Sequence, residues 1–177
     1  MAGFDPFDAT LLEGLAALTL DEVRARRQGC QDVETQVSYV RRLAQGRLDI
    51  VRHEQARRVS GGASGDIVAE LTEALADRIT SAGSGHVAAE LTPDDVDPAL
   101  LDALDAAAPP AALSDPHNLG DDDLVAAAAG LEAFEQNLST RRRALFSRID
   151  ALQEEIVRRY RDGEASVDGL LAHGTGA

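Results

Sequence analysis

Residues 33–51 read VETQVSYVRRLAQGRLDIV, and the spacing of their apolar members decides the fold class. Val33, Val37, Val40, Ala44, Leu48 and Val51 step by four, three, four, four and three positions, the stride of a single helix face. No Pro falls between Thr19 and Arg58. Thr19 with Glu22 three positions later is a capping box. The pattern predicts one helix over residues 19–58, ended by Ser60-Gly61-Gly62-Ala63-Ser64-Gly65. At about 1.5 Å per residue such a helix runs roughly 60 Å, so its apolar seam requires a second helix.

The partner lies near the other end of the chain. Asp121, Asp122 and Asp123 place negative charge where a helix start favours it. Leu131, Leu138, Leu145 and Leu152 then recur every seven residues, joined by Phe134, Ile149, Ile156 and Tyr160. Asp162-Gly163 supplies the usual stop, which predicts a helix over residues 121–163. Shorter helices are expected near residues 66–80, through Ile67, Leu71, Leu75 and Ile79, and from Pro98, through Leu100, Leu101 and Leu104. No alternating run reads as a strand. The expected class is all-α: two long helices in an antiparallel coiled-coil hairpin, with short helices in the connector. This divides the chain into an N-terminal apolar and acidic segment (1–18), a long helix (19–58), an acidic connector (59–120), a second long helix (121–163) and a tail (164–177).

Charge follows the same division. The chain of 177 residues has 17 basic residues, all Arg, against 31 acids, for a net charge of −14 and a pI near 4.5. Residues 19–58 carry nine Arg and six acids, and residues 124–163 seven and six. Residues 66–123 carry one Arg and fourteen acids. Such a surface excludes nucleic-acid coating, which needs positive charge, and no direct DNA binding is expected. A lone Cys30 offers neither a disulfide nor a thiolate cluster. The first residues lack a basic region and an unbroken apolar stretch, so no signal peptide is expected. No window has the length of a membrane span, and a cytoplasmic location is expected.

Catalytic signals are weak. His53, His86, His117 and His173 are dispersed, solvent-facing positions are expected for them, and no metal site is predicted. The Gly-rich stretches at 61–65 and 83–85 lack the strand and the Lys of a phosphate loop. Cys30 has no evident His partner and reads as a buried small residue. No enzyme activity is expected.

Superposing the chain on itself at an offset of 101 residues aligns the two long helices. Val37 falls on Leu138, Ala44 on Leu145, Leu48 on Ile149 and Val51 on Leu152. Four polar residues repeat identically: Glu34, Ser38, Arg41 and Asp49 fall on Glu135, Ser139, Arg142 and Asp150. A fifth, Gln45, falls on Phe146. At 100° per residue the five positions form one stripe bordering the seam. In an antiparallel pair the two stripes would merge into one polar face with approximate two-fold symmetry. Arg forks match guanine O6/N7 or phosphate, carboxylates accept from guanine N1–H and N2–H, and Ser and Gln adapt. A solvated flank is the plainer reading of either stripe alone, and four polar identities at fixed spacing weigh against it.

The pattern E-x3-S-x2-R-x3-Q-x3-D, carried on two helices, resembles that of the RsiG family of cyclic di-GMP-dependent anti-sigma factors. Glu34, Ser38, Arg41, Gln45 and Asp49 match it fully, and Glu135, Ser139, Arg142 and Asp150 match four of five positions. The resemblance implies an intercalated dimer of cyclic di-GMP held by both motifs. It also implies that the loaded protein clasps a WhiG-type sporulation sigma factor and keeps it from RNA polymerase. By the same resemblance Glu34, Asp49, Glu135 and Asp150 read guanine edges, while Arg41 and Arg142 contact guanine or phosphate. Phe146 departs from the pattern, and its ring can stack on a base. The acidic connector suits a basic sigma surface, and Phe4, Phe7, Leu11, Leu12 and Leu15 are expected to dock on its apolar patches. The alternative is a ligand-independent coiled-coil adaptor with an acidic, solubilising linker.

Overall fold

The computed structural model describes residues 5–60 and 96–163. Its elements are α1 (Leu20–Val59), α2 (Pro98–Ala107), α3 (Pro110–Leu113) and α4 (Asp121–Arg161). Short 3-10 turns at Leu15–Ala17 and Pro116–Asn118 precede the two long helices. The described residues contain no strand, so the class is all-α. The helix expected near residues 66–80, and most of the acidic connector's charge, lie outside the described residues.

Local chemistry accounts for the helix ends. The Thr19 backbone N–H and hydroxyl both donate to Glu22 Oε2, at 2.6 and 2.8 Å, and the Glu22 N–H donates to Thr19 Oγ1 at 3.3 Å. The capping box therefore forms as its spacing predicts. α2 starts where Asp97 accepts from the Ala99 N–H at 2.9 Å and Pro98 supplies a helical φ without needing a partner for its nitrogen.

The chain folds as two compact units, one of Met1–Tyr39 and Gln136–Ala177 and the other of Val40–Glu135. In both, α1 and α4 pack against each other. The core of the first unit contains Leu11, Val23, Cys30 and Val37 together with Leu138, Leu145, Leu152 and Ile156. That of the second contains Val40, Ala44, Leu48 and Val51 with Val96, Leu100, Leu104, Ala108, Leu113, Leu124, Ala128 and Leu131. Each buried Leu or Val contributes roughly 1.5–3 kcal/mol, and Leu131, Leu138, Leu145 and Leu152 of the seven-residue series are all fully buried. Cys30 is fully buried, and burial pushes its thiol pKa up, as befits an unreactive packing residue.

Part of the N-terminal segment packs on the chain itself. Leu11 is buried in the chain's own core. The Phe7 ring lies under the guanidiniums of Arg141 and Arg148, 4.7 and 5.9 Å from its centroid. Arg148 also donates to the Phe7 carbonyl at 3.2 Å, and Arg26 to the Leu11 carbonyl at 2.5 Å. Phe7 and Leu11 are thus occupied within the first unit, whereas Leu12 is exposed, Leu15 half-buried, and Phe4 lies outside the described residues.

In the second unit α2 is fastened by a comparable device. Arg47 donates to the Leu104 and Ala108 carbonyls at 3.4 and 2.8 Å, at the end of α2, and pairs with Asp105 at 2.7 Å. The cation thus meets the negative end of that helix. Gly130 of α4 permits the contact, since a Cβ there would stand 2.9 Å from the Ala107 carbonyl oxygen. On a helical wheel Arg47 stands about 120° from Arg41, and Gly130 about 140° from Glu135. α2 therefore packs on faces of α1 and α4 other than those that carry Arg41 and Glu135.

Candidate ligand site on the paired helices

The stripe residues form two clusters, one in each unit, and each crosses from one long helix to the other. In the first unit Arg142 Nε donates to Glu34 Oε1 at 2.9 Å, and Ser38 Oγ donates to the same oxygen at 2.6 Å. The Phe146 ring lies under the Arg142 guanidinium, 4.9 Å from carbon to centroid, with 40% of its surface exposed. Ser139 is half-buried and Asp150 exposed. In the second unit Arg41 Nη1 and Gln45 Nε2 both donate to Glu135 Oε1 at 3.1 Å, and Asp49 is exposed.

The 101-residue offset carries one cluster onto the other. Arg41 and Glu135 are the equivalents of Arg142 and Glu34, and both pairs form. Glu34, Glu135 and Arg41 keep only 17%, 21% and 21% of their side-chain surface, so these are organised, half-buried groups rather than a freely solvated flank. Arg41 Nε is buried with no hydrogen-bond partner among the described residues. Such a group is an unused donor at the seam-side edge of the cluster. Chemically, each cluster offers a guanidinium fork, a carboxylate and a hydroxyl or amide within one side-chain length. The Arg–Glu pairing means that any ligand with matching donors and acceptors must exchange partners with it.

A second duplicated constellation escaped the sequence reading. Glu54 is buried, at 1% exposure, and accepts from Arg57 Nε and Nη2 at 2.8 Å each and from Arg58 Nε at 2.6 Å. Its equivalent, Glu155, accepts from Arg158 Nε at 2.9 Å and Arg159 Nε at 2.7 Å. The clamp arginines then grip main-chain carbonyls just ahead of the long helices. Arg58 donates to the Leu119 carbonyl and Arg159 to the Leu18 carbonyl, both at 2.8 Å. Leu18 and Leu119 are themselves 101 residues apart. The signal E-x2-R-R, at 54–58 and 155–159, stood in the same alignment as the stripe.

Electrostatics agree with this geometry. Hydrogen bonds from Arg57, then Arg58 and His117, hold the Glu54 carboxyl far below the usual carboxylate range despite its desolvation. Those from Arg158 and Arg159 lower Glu155 to about 2. His117 Nδ1 lies 2.7 Å from Glu54 Oε2. An ionised carboxylate only accepts, so Nδ1 carries the hydrogen. His117 is exposed, as expected of it, and is also engaged in the clamp.

Among the described residues no group of His, Cys, Asp and Glu is arranged to hold a metal ion, and no helix is long and apolar enough to cross a membrane. No curated protein matches the chain. The RsiG-like family model matches residues 10–75 and 110–173, spans that contain both polar stripes and both glutamate–arginine clamps. With well over half of its length matched, the chain belongs to the RsiG-like family, a family of regulatory anti-sigma factors rather than enzymes, whose partner is a sigma factor.

Proposed function

We propose that this chain is an anti-sigma factor whose long helices form an antiparallel hairpin that binds cyclic di-GMP and, so loaded, sequesters a WhiG-type sporulation sigma factor from RNA polymerase in the cytoplasm. The observation that carries the reading is the pair of equivalent ion pairs, Arg142–Glu34 and Arg41–Glu135, built from the repeated residues on which the resemblance to the family rests. Two clusters built on equivalent Arg–Glu pairs suit a ligand with two equivalent halves, and an intercalated cyclic di-GMP dimer is such a ligand. The antiparallel sense is supported by contact order, since Arg24 meets Tyr160, Arg27 meets Gln153 and Glu34 meets Arg142 as one number rises and the other falls.

In this mechanism guanine edges take over the Glu34 and Glu135 carboxylates and exposed Asp49 and Asp150. The released Arg41 and Arg142 forks turn to guanine or phosphate, where bidentate geometry favours them. Gln45 and the serines adapt to the remaining polar atoms. Bound nucleotide then forms part of the surface offered to the sigma factor, and the acidic connector 59–120 speeds encounter with its basic face. Ligand and partner stabilise each other's binding by the same factor.

Calorimetric titration with cyclic di-GMP, alone and with the sigma factor present, tests this. Saturable binding that is lost in Arg41→Ala and Arg142→Ala is expected. Absence of binding in both conditions would sink the proposal. It would leave the ligand-independent adaptor, a reading favoured by one observation, that both Arg–Glu pairs already satisfy each other without ligand.

A further inference from the structure

The first unit carries a cleft of about 450 Å³ lined by Arg24, Ala25, Arg27, Gln28, Ile156 and Tyr160. None of these is a stripe residue. Arg24 lies over the Tyr160 ring at 5.8 Å, hydrogen-bonds the Tyr160 hydroxyl, and pairs with exposed Asp21 at 3.0 Å. Arg27 donates through Nη1 to Gln153, while its Nε–H is buried and has no partner among the described residues. Gln28 donates to Asp32 at 2.8 Å. Ile156 and Ala25 complete the lining with apolar surface.

The repeat shows that this chemistry belongs to one unit only. At the offset of 101, Arg24 answers Val125, Arg27 answers Ala128, Gln28 answers Ala129, and Tyr160 answers Val59. Where the first unit has two guanidiniums and a phenol, the second has two exposed valines, at 61% and 89% exposure, and two alanines. A generic helix flank would not concentrate cations on one copy, whereas an added binding site would. Two guanidiniums lining one cleft suit phosphate. A phenol ring and an aliphatic wall suit the face of a planar ring.

We propose that this cleft is a second ligand site, separate from the stripe and not dependent on its function, that takes a nucleotide-sized organophosphate. The phosphate sits between the Arg24 and Arg27 guanidiniums, and the planar ring lies against Tyr160 and Ile156. Arg24 exchanges its bond to the Tyr160 hydroxyl for one to the phosphate.

Calorimetry on the full chain tests this with GMP as the probe and with guanosine and inorganic phosphate as separate arms. The background is Arg41→Ala with Arg142→Ala, which removes the stripe's arginines. Saturable GMP binding is expected in that background, with guanosine and phosphate each binding more weakly. Arg27→Ala should weaken GMP by about tenfold or more, the worth of a lost charge-assisted bond. Arg27→Lys keeps the charge, loses the fork and should fall between, with helicity followed by circular dichroism in each variant. The proposal is overturned if GMP does not bind, if it binds only when Arg41 and Arg142 are intact, or if Arg24→Ala and Arg27→Ala both bind as the parent does. Phosphate binding as tightly as GMP would equally overturn the nucleotide assignment.

Discussion

Arg142 Nε stands 2.9 Å from Glu34 Oε1, joining two helices whose residues are 108 positions apart in sequence. The carboxylate is the better buried partner, with 17% of its side chain exposed against 38% for the guanidinium. The pair is therefore shielded on one side and open to exchange on the other, a geometry suited to a contact that a ligand replaces.

Exchanging the two charges separates stability from recognition. Glu34→Arg and Arg142→Glu should each lower stability by roughly 0.5–1 kcal/mol, the worth of a half-exposed pair, and the double variant should recover most of it. Urea unfolding measures this. Cyclic di-GMP binding should be lost in the double variant, because its donors and acceptors have traded places.

Acid stability should report the clamps. A carboxyl whose folded pKa is depressed stabilises fully above its unfolded value, and that contribution disappears as the pH falls to the folded value. For Glu155 the window runs from 4.5 down to about 2, and for Glu54 it extends lower. Stability should thus fall as the pH drops below about 4.5. Glu155→Gln should be less stable than the parent at pH 7 and show a shallower decline between pH 4.5 and 2, measured by urea melts at each pH.

Two glycines should respond to alanine with opposite signs. A Cβ at Gly46 meets nothing within 4 Å, so Gly46→Ala should gain about 0.5–1 kcal/mol from helix propensity. Gly130→Ala gains the same propensity but drives a methyl into the Ala107 carbonyl, and overpacking of that kind costs about 1–3 kcal/mol. A net loss near 1 kcal/mol is expected in denaturant melts, with earlier proteolysis around α2.

Phe146→Gln restores the repeated amide. It should lose about 0.5–1 kcal/mol of stability with the Arg142 cation–π contact. If the two clusters recognise equivalent halves of one ligand, cyclic di-GMP should bind as tightly as in the parent or more tightly by calorimetry. A weaker ligand would show that the Phe146 ring is itself a contact.

Much of the helical framework was legible because its signals are local or periodic. Thr19 and Glu22 announce a cap three residues apart, and Leu131, Leu138, Leu145 and Leu152 announce a seam. The stripe was legible because identical polar types recur at one offset. The fastening was not. Arg26, Arg47, Arg58, Arg148 and Arg159 donate to main-chain carbonyls, and an acceptor that every residue owns leaves no mark in sequence. Gly130 was equally silent, since its meaning lies in a carbonyl more than twenty positions away. Glu54 and Glu155 were within reach of the same offset, but a glutamate followed by two arginines looks like an ordinary exposed helix end.

The paired clamps also bear on how this chain can be altered. The proposed recognition rests on side chains that face each other across two helices, whereas Arg58 and Arg159 hold backbone that any sequence would supply. The loop residues they grip can therefore change type freely while the grip persists. Homologues can be expected to diverge quickly in the turns ahead of each long helix without disturbing the spacing of the stripe, and grafting the stripe onto a foreign hairpin should require transplanting E-x2-R-R with it.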